Sequence, residues 1–145
     1  MPGHNTMLKI SFPNIRVSRI INASAETLWD LLTDTTRWTE WGPSIKQVQS
    51  KERYIRAGSV GRVKTALGFW APFAITEWEN RRYWSWRIFS IRATGHSVEA
   101  IKANCCELIF EVPFWAMPYA FICNVATKRM ARLAEKSFKE PPVIR

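Results

Sequence analysis

The last part of the chain carries a long apolar stretch that becomes amphipathic. Residues 114–126 are apolar almost without interruption, and Met130, Leu133 and Phe138 follow at helical spacing. Lysines and arginines fill the opposite side of this second half. The pattern predicts one helix over residues 114–138, whose first half must be covered on every side by the rest of the protein.

Upstream of this stretch, apolar and polar residues alternate, as they do in strands whose two faces differ. The alternation predicts a first strand over residues 15–21, followed later by a series of further strands. That series covers residues 45–50, 59–67, 72–79, 82–91, 93–102 and 105–112. The connectors are short, for example Asn80-Arg81 and Ala103-Asn104, which predicts an antiparallel meander rather than a parallel sheet.

Between the first strand and the meander, the apolar period changes to that of a helix. Ser24 is the predicted N-cap, and Leu28 and Leu32 follow at helical spacing. Trp38 and Trp41 flank a second short turn. We therefore expect an α+β chain in which two short helices follow the first strand and one long helix ends the fold.

The strand periods also predict which side chains point toward the C-terminal helix. The predicted inner face consists of Trp84, Trp86, His96, Val98, Leu108 and Phe110. Ser97 and Glu99 fall on the opposite, wet face. A register error of one residue would reverse this assignment, so it can be checked directly against a structure.

The chain has 145 residues and a formal net charge of +9. We expect a single domain over residues 1–145, with flexible ends at residues 1–13 and 140–145. The positive charge is compatible with nucleic acid, an anionic membrane or an acidic partner. Because Trp84 and Trp86 are assigned to the interior, no aromatic surface is left to stack on bases, and we expect no nucleic-acid partner.

The three cysteines, Cys105, Cys106 and Cys123, are an odd number without metal-ligand spacing. This favours reduced thiols in a cytoplasmic protein, and the first residues lack the apolar run of a signal peptide. The sequence contains no glycine-rich phosphate loop and no metal-binding motif, so we expect neither a cofactor nor a metal.

Several short segments resemble the polyketide cyclase/dehydrase family, which belongs to the superfamily of START domains and the birch-pollen allergen. They are NASAETLW at residues 22–29 with Trp38 and Trp41, ITEWE at residues 75–79, and Gly95-His96. The resemblance implies a helix-grip fold, in which a curved antiparallel sheet of six or seven strands wraps around the C-terminal helix. It also implies a deep cavity between sheet and helix for lipids, polyketides or other apolar molecules.

The candidate ligand-binding residues are those that the phases and the resemblance place around this cavity. They are Trp78, Trp84, Trp86, His96, Val98, Phe110, Phe121 and Asn124. His96 is also the candidate catalytic residue, although a lone histidine on an apolar face is more often a hydrogen-bonded core residue. With so few acid–base groups available, we favour binding of an apolar small molecule over catalysis.

Two alternatives stay open at this point. The first is a polyketide cyclase/dehydrase-type enzyme, which would recruit His96, Asn124, Tyr119 or Arg62. The second is a peripheral membrane lipid binder, because the apolar residues at 114–119 precede a cationic half-helix that suits an anionic membrane. The oligomeric state cannot be read from the sequence.

Overall fold

The computed structural model describes the backbone of residues 6–11 and 14–139 and the side chains of residues 14–136. The strands are β1 (Thr6–Ser11), β2 (Asn14–Ile21), β3 (Ile45–Ser50), β4 (Val60–Thr65), β5 (Trp70–Glu79), β6 (Tyr83–Ile88), β7 (Ile91–Lys102) and β8 (Cys105–Pro113). The α-helices are α1 (Ala25–Thr33), α2 (Trp38–Trp41) and α3 (Ala120–Lys139), and short 3₁₀ segments span Thr35–Arg37 and Phe114–Tyr119. Of the helices in this described part, none is long and apolar enough to cross a membrane.

The strands form one antiparallel sheet in the order β1-β2-β8-β7-β6-β5-β4-β3. The meander from β3 to β8 is confirmed, and β2 completes it by pairing with β8. The described residues contain eight strands rather than six or seven, because residues 6–11 pair with β2. Residues 6–11 were expected to belong to a flexible end and form β1 instead, while residues 1–5, 12–13 and 140–145 lie outside the described residues.

The three helices pack on the inner face of the sheet, with α3 lying across β2 and β8 and contacting α1 and α2. The predicted N-cap of α1 is confirmed, since the Ser24 hydroxyl accepts a hydrogen bond from the Thr27 backbone N–H at 3.1 Å. In α2, the indole N–H of Trp38 donates to the Leu32 carbonyl at 2.9 Å. The first bond caps α1, and the second ties α2 to the last turn of α1.

The C-terminal apolar stretch is not one fully covered helix, and that expectation is wrong. Residues 114–119 form a 3₁₀ segment that contains Pro118, and the α-helix begins only at Ala120. Trp115 is 67% exposed and Phe121 is 79% exposed. The inner side of α3 is buried as predicted at Met130 and Ala134, whereas the side chain of Phe138 lies outside the described residues.

The predicted strand faces are confirmed. All six residues assigned to the inner face are buried, namely Trp84, Trp86, His96, Val98, Leu108 and Phe110. On the other face Glu99 is exposed and Ser97 is partly exposed. One boundary was misplaced: the break between the fourth and fifth predicted strands of the meander falls at Phe89-Ser90, where both residues have positive φ, and not at residue 92.

Candidate functional site: an apolar pocket at the open end of the sheet

The interior between the sheet and α2 is filled by aromatic rings. Trp38 stacks on Trp84 with ring centroids 5.7 Å apart, and it meets Trp86 edge-on at 5.4 Å. Phe73 closes the other side of Trp38 at 5.4 Å. Since such rings each bury a large area, this cluster forms part of the packed core, and of its rings Trp86 also reaches the pockets described below.

His96 is held at the edge of this cluster by hydrogen bonds at both ring nitrogens. Its Nδ1 lies 3.2 Å from the Trp84 carbonyl oxygen, and its Nε2 lies 3.0 Å from the Thr94 hydroxyl. A carbonyl only accepts, so Nδ1 carries the proton and Nε2 accepts from Thr94. The Thr94 oxygen in turn accepts from the indole N–H of Trp86 at 3.0 Å. Each polar side-chain group in this series of hydrogen bonds from Trp86 through Thr94 to His96 therefore has a protein partner.

The surroundings of His96 also keep it neutral. Burial lowers the pKa of His96 to about 3, and the hydrogen bond to the Trp84 carbonyl only partly opposes that effect. A general base near neutral pH needs a free lone pair and a pKa close to the working pH. His96 meets neither condition, so the structure favours the core role over the candidate catalytic role.

Around His96, the described residues leave little space. A void of about 20 Å³ lies between α3 and the inner sheet, bordered by His96, Phe110, Cys123 and Ala126. This volume is close to the minimum that holds one water molecule. In this region, aromatic side chains of the described residues occupy most of the space where the resemblance implies a deep cavity.

A larger apolar pocket of about 380 Å³ lies toward the open end of the same interior, and we call it the mouth pocket. It is enclosed by the 3₁₀ segment at residues 114–119, the β4–β5 connection, and the neighbouring ends of β6 and β7. Its apolar walls include Ile45, Val63, Ala71, Trp86, Val112 and Trp115. Sites for small molecules have this character, with apolar walls and a few placed polar groups.

The polar groups of the mouth pocket are hydroxyls. The Ser44 and Tyr119 hydroxyl oxygens are 2.6 Å apart, and burial raises the pKa of Tyr119 despite this bond. The Thr65 hydroxyl is buried without a hydrogen-bond partner, and the Thr94 hydroxyl is used by His96 and Trp86. Among the described residues that line the pocket there is no carboxylate, imidazole, thiol or cationic group.

The candidate residues do not gather at one place. Of the set, Trp86 lines the mouth pocket, while His96 and Phe110 border the small deep void together with Trp86. Trp84 and Val98 lie within the buried core, and Phe121 projects outward. Trp78 and Asn124 each lie elsewhere.

Trp78 lines a separate open groove of about 580 Å³ beside α1. It packs edge-on against Trp29, with ring centroids 5.4 Å apart. The groove also contains Glu26, Asp30 and Arg81, so it is charged and of mixed sign. Its charged lining differs from the apolar lining of the cavity that the family resemblance implies.

Asn124 serves a polar cluster beneath α3 that was not predicted from the sequence. The Arg19 guanidinium donates to the Asn124 side-chain oxygen and to the Thr127 hydroxyl, both at 3.1 Å. Burial lowers the pKa of Arg19, and the nearby Glu135 carboxylate opposes that shift. The sequence of β2 could have indicated this cluster, because strand alternation places Arg19 on the same inner face as Val17 and Ile21.

The three cysteines are free thiols. Burial raises the pKa of Cys106 and of Cys123 to about 12, and for Cys106 the neighbouring Cys105 adds to this effect. Both thiols are therefore protonated near neutral pH and unsuited to nucleophilic chemistry.

The profile of the family described as polyketide cyclase / dehydrase and lipid transport matches residues 13–139. No curated protein gives a sequence match. Among solved structures, a START superfamily protein from Mycobacterium smegmatis aligns with a TM-score of 0.71 and 13% identity, covering 85% of this chain and 97% of its own. The Zhui aromatase/cyclase from a Streptomyces species aligns with a TM-score of 0.68 and 10% identity, covering 91% of this chain and 96% of its own.

A conserved protein of unknown function from Enterococcus faecalis aligns with a TM-score of 0.65 and 16% identity, covering 97% of this chain and 82% of its own. At these identities the similarities show a shared fold. They agree with the observed arrangement of a curved antiparallel sheet around a C-terminal helix.

Proposed function

Because the chain belongs to the polyketide cyclase/dehydrase and lipid transport family, we propose that it binds an apolar small molecule in the mouth pocket. The observation that carries this proposal is the pocket itself, which has about 380 Å³ of space between almost wholly apolar walls. That volume lies at the lower end of the range for small-molecule sites, so the ligand is compact. A short acyl chain or a molecule of two or three fused rings has suitable size and chemistry.

The hydroxyls at the pocket suggest a ligand that carries an oxygen at one end. The Ser44–Tyr119 pair offers an acceptor and a donor at the pocket. A carbonyl or hydroxyl on an otherwise apolar ligand would use this pair.

The proposal can be tested with the neutral dye phenylnaphthylamine, whose fluorescence rises in apolar surroundings. Trp86 and Trp115 line the pocket, so bound dye should also quench the intrinsic tryptophan emission. We expect saturable binding that medium-chain fatty acids and small polycyclic phenols compete for.

The variant Ala116→Trp places a large side chain on the pocket wall and should abolish dye binding. Ala100→Trp is the matched control, because Ala100 is exposed and lies outside the pocket. Equal dye binding by both variants would show that the dye binds elsewhere and would overturn the proposal.

A cyclase/dehydrase-type enzyme is the second candidate function. The observation that favours it is the Tyr119 hydroxyl paired with Ser44 at the pocket, since a phenol can donate a hydrogen bond to an enolate oxygen. It stands second because the lining residues provide no carboxylate or imidazole for proton transfer. Tyr119→Phe separates the two: a binding protein keeps its ligand affinity within a few-fold, whereas an enzyme loses turnover of a polyketide-like thioester while still binding it.

A further inference from the structure

Exposed apolar side chains from three separate elements meet around the opening of the mouth pocket. We call this set the apolar rim; its members are Leu67, Phe69, Phe89, Ile91, Trp115 and Met117. Leu67 and Trp115 line the pocket opening and are 86% and 67% exposed. The rings of Phe69 and Phe89 lie 6.2 Å apart, which joins the tip of the β4–β5 hairpin to that of the β6–β7 hairpin.

At the tip of the β6–β7 hairpin, Phe89 adopts an unfavourable backbone conformation. Phe89 and Ser90 have φ values of 52° and 64°, the conformation of a tight two-residue turn that normally selects asparagine and glycine. A bulky residue in this region is disfavoured, and such outliers concentrate at functional positions. The exposed phenyl ring contributes little to the core, so its presence at a strained tip points to a role outside the fold.

The three rim elements themselves carry charges of one sign. The sequence has no aspartate or glutamate in residues 53–76, 80–98 or 112–134, which contain these elements. Arg62 and Lys64 lie on the strand that leads into the first hairpin, and Arg87 and Arg92 flank the second. Apolar side chains on elements that carry cations and no carboxylate complement a membrane whose headgroups are anionic.

We propose that the apolar rim inserts into an anionic lipid surface and holds the mouth pocket against it. A second copy of the chain is a poorer partner for this face, because symmetric pairing would bring the same cations together. The lipid surface buries the hydrophobic side chains and pairs the arginines and lysine with lipid headgroups at the same time. This inference concerns the surface around the pocket and does not depend on which ligand the pocket takes.

The test is co-sedimentation with vesicles of phosphatidylcholine alone and of phosphatidylcholine containing phosphatidylserine. We expect the protein to sediment with the anionic vesicles, more weakly at high salt, and hardly at all with the neutral ones. Phe89→Asn should lower the partition coefficient several-fold, since the side chain is 51% exposed and insertion would bury that exposed part. This variant suits the turn better than phenylalanine does, so loss of binding cannot be attributed to unfolding.

The matched control is Ile101→Ser, because Ile101 is 53% exposed at the opposite end of β7 and should leave vesicle binding unchanged. Arg87→Gln should weaken binding to anionic vesicles and reduce its salt dependence, while Arg82→Gln, in the turn at the far end of β6, should not. Phe89 does not line the pocket, so dye binding by Phe89→Asn reports separately on the proposed ligand site.

Equal sedimentation of the wild-type protein and Phe89→Asn would overturn the docking proposal, as would no sedimentation at all. Analytical ultracentrifugation without vesicles tests whether a second copy of the chain binds to the apolar rim instead. A wild-type dimer that Phe89→Asn dissociates would mean that the rim is an interface between two copies, and the lipid proposal would be wrong.

Discussion

The Trp84 indole and the His96 imidazole stack face to face, with ring centroids 3.9 Å apart. The same two residues are joined through the backbone, because the His96 Nδ1–H donates to the Trp84 carbonyl. Phe110 closes the other side of the imidazole at 4.7 Å. The histidine is thus part of the aromatic packing that fills the deep interior, and this packing moves the available ligand space out to the mouth pocket.

The buried His96 should make the protein less stable as the pH falls. Its pKa is about 3 in the folded protein and about 6.5 when unfolded, so only the unfolded chain takes up a proton between these values. The free energy of unfolding should therefore fall by about 2 kcal/mol between about pH 7 and about pH 5 from this group alone. Urea unfolding across this range measures the effect.

His96→Gln is the variant to compare, because it removes the titrating group while carboxyl contributions remain. The variant should be less stable than the wild type near neutral pH, because the substitution removes the packing and hydrogen bonds of the imidazole. The difference in free energy of unfolding between the two proteins should become smaller as the pH falls. If the free energy of unfolding of His96→Gln changed with pH as steeply as that of the wild type, His96 would not be a buried neutral imidazole. Nitrogen chemical shifts of the imidazole should independently show the proton on Nδ1.

The inner face of the sheet could be predicted because strand alternation is a local property of the sequence. Trp84, His96 and Phe110 fall into one phase whatever their neighbours are. How their rings pack is not local, since it depends on the helix that supplies Trp38 from the other side. The packing of these rings in the deep interior could therefore not be predicted from the strand pattern.

Two other features escaped prediction for different physical reasons. The turn at Phe89-Ser90 has none of the residues that normally mark a turn with positive φ, so the strand was extended through it. The segment at residues 114–119 is apolar, which indicated burial, but it lies at the surface around a pocket. Apolar character alone does not distinguish a core helix from a surface that binds something else.

Asp34 should protect the protein against acid. Its carboxylate is buried, which raises the pKa, but hydrogen bonds from Arg53 and Thr36 outweigh this and hold the pKa below its usual value. A carboxyl group whose pKa is lower in the folded protein stabilises the fold at pH values above its ordinary pKa of about 3.9. This contribution disappears as the pH falls from there through the lowered pKa. Asp34→Asn should therefore be destabilised near neutral pH and approach the wild-type stability as the pH falls through the lowered pKa of Asp34.

A second substitution separates the ion pair from the cap. Asp34 also accepts from the Thr36 backbone N–H at 3.0 Å, a bond that an asparagine oxygen can still accept. Asp34→Ala removes this cap as well and should cost about 1 kcal/mol more than Asp34→Asn in thermal or urea unfolding. The exposed pair of Arg37 and Glu40 provides a control, since Glu40→Gln should change stability little.

Arg19 should be essential for the attachment of α3 to β2. Arg19→Met removes, among the interactions of this guanidinium, its hydrogen bonds to Asn124 and Thr127, and leaves the Asn124 oxygen short of its partner. We expect a loss of roughly 3 kcal/mol or more in the free energy of unfolding. Arg132→Met, at an exposed position on the same helix, should cost less than about 0.5 kcal/mol. Similar values for the two variants would show that the buried cluster is not stabilising.

Gly95 lies under the side chain of Tyr83 on the outer face of the sheet. A Cβ added at Gly95 would lie 2.6 Å from the Tyr83 hydroxyl oxygen and 3.0 Å from its ring, both closer than van der Waals contact. Gly95→Ala should therefore destabilise the protein by about 1–3 kcal/mol, as overpacking does elsewhere. The measured quantity is the free energy of unfolding in urea.

The sign of this effect should depend on the tyrosine. In a strand, alanine is intrinsically more favourable than glycine by roughly 0.5–1 kcal/mol, because glycine loses more backbone entropy on folding. With Tyr83→Ala in place the clash is gone, so adding Gly95→Ala should be neutral or stabilising. A double-mutant cycle gives the coupling energy directly. If Gly95→Ala destabilised both backgrounds equally, the tyrosine would not be the cause, and the strand itself would require glycine at this position.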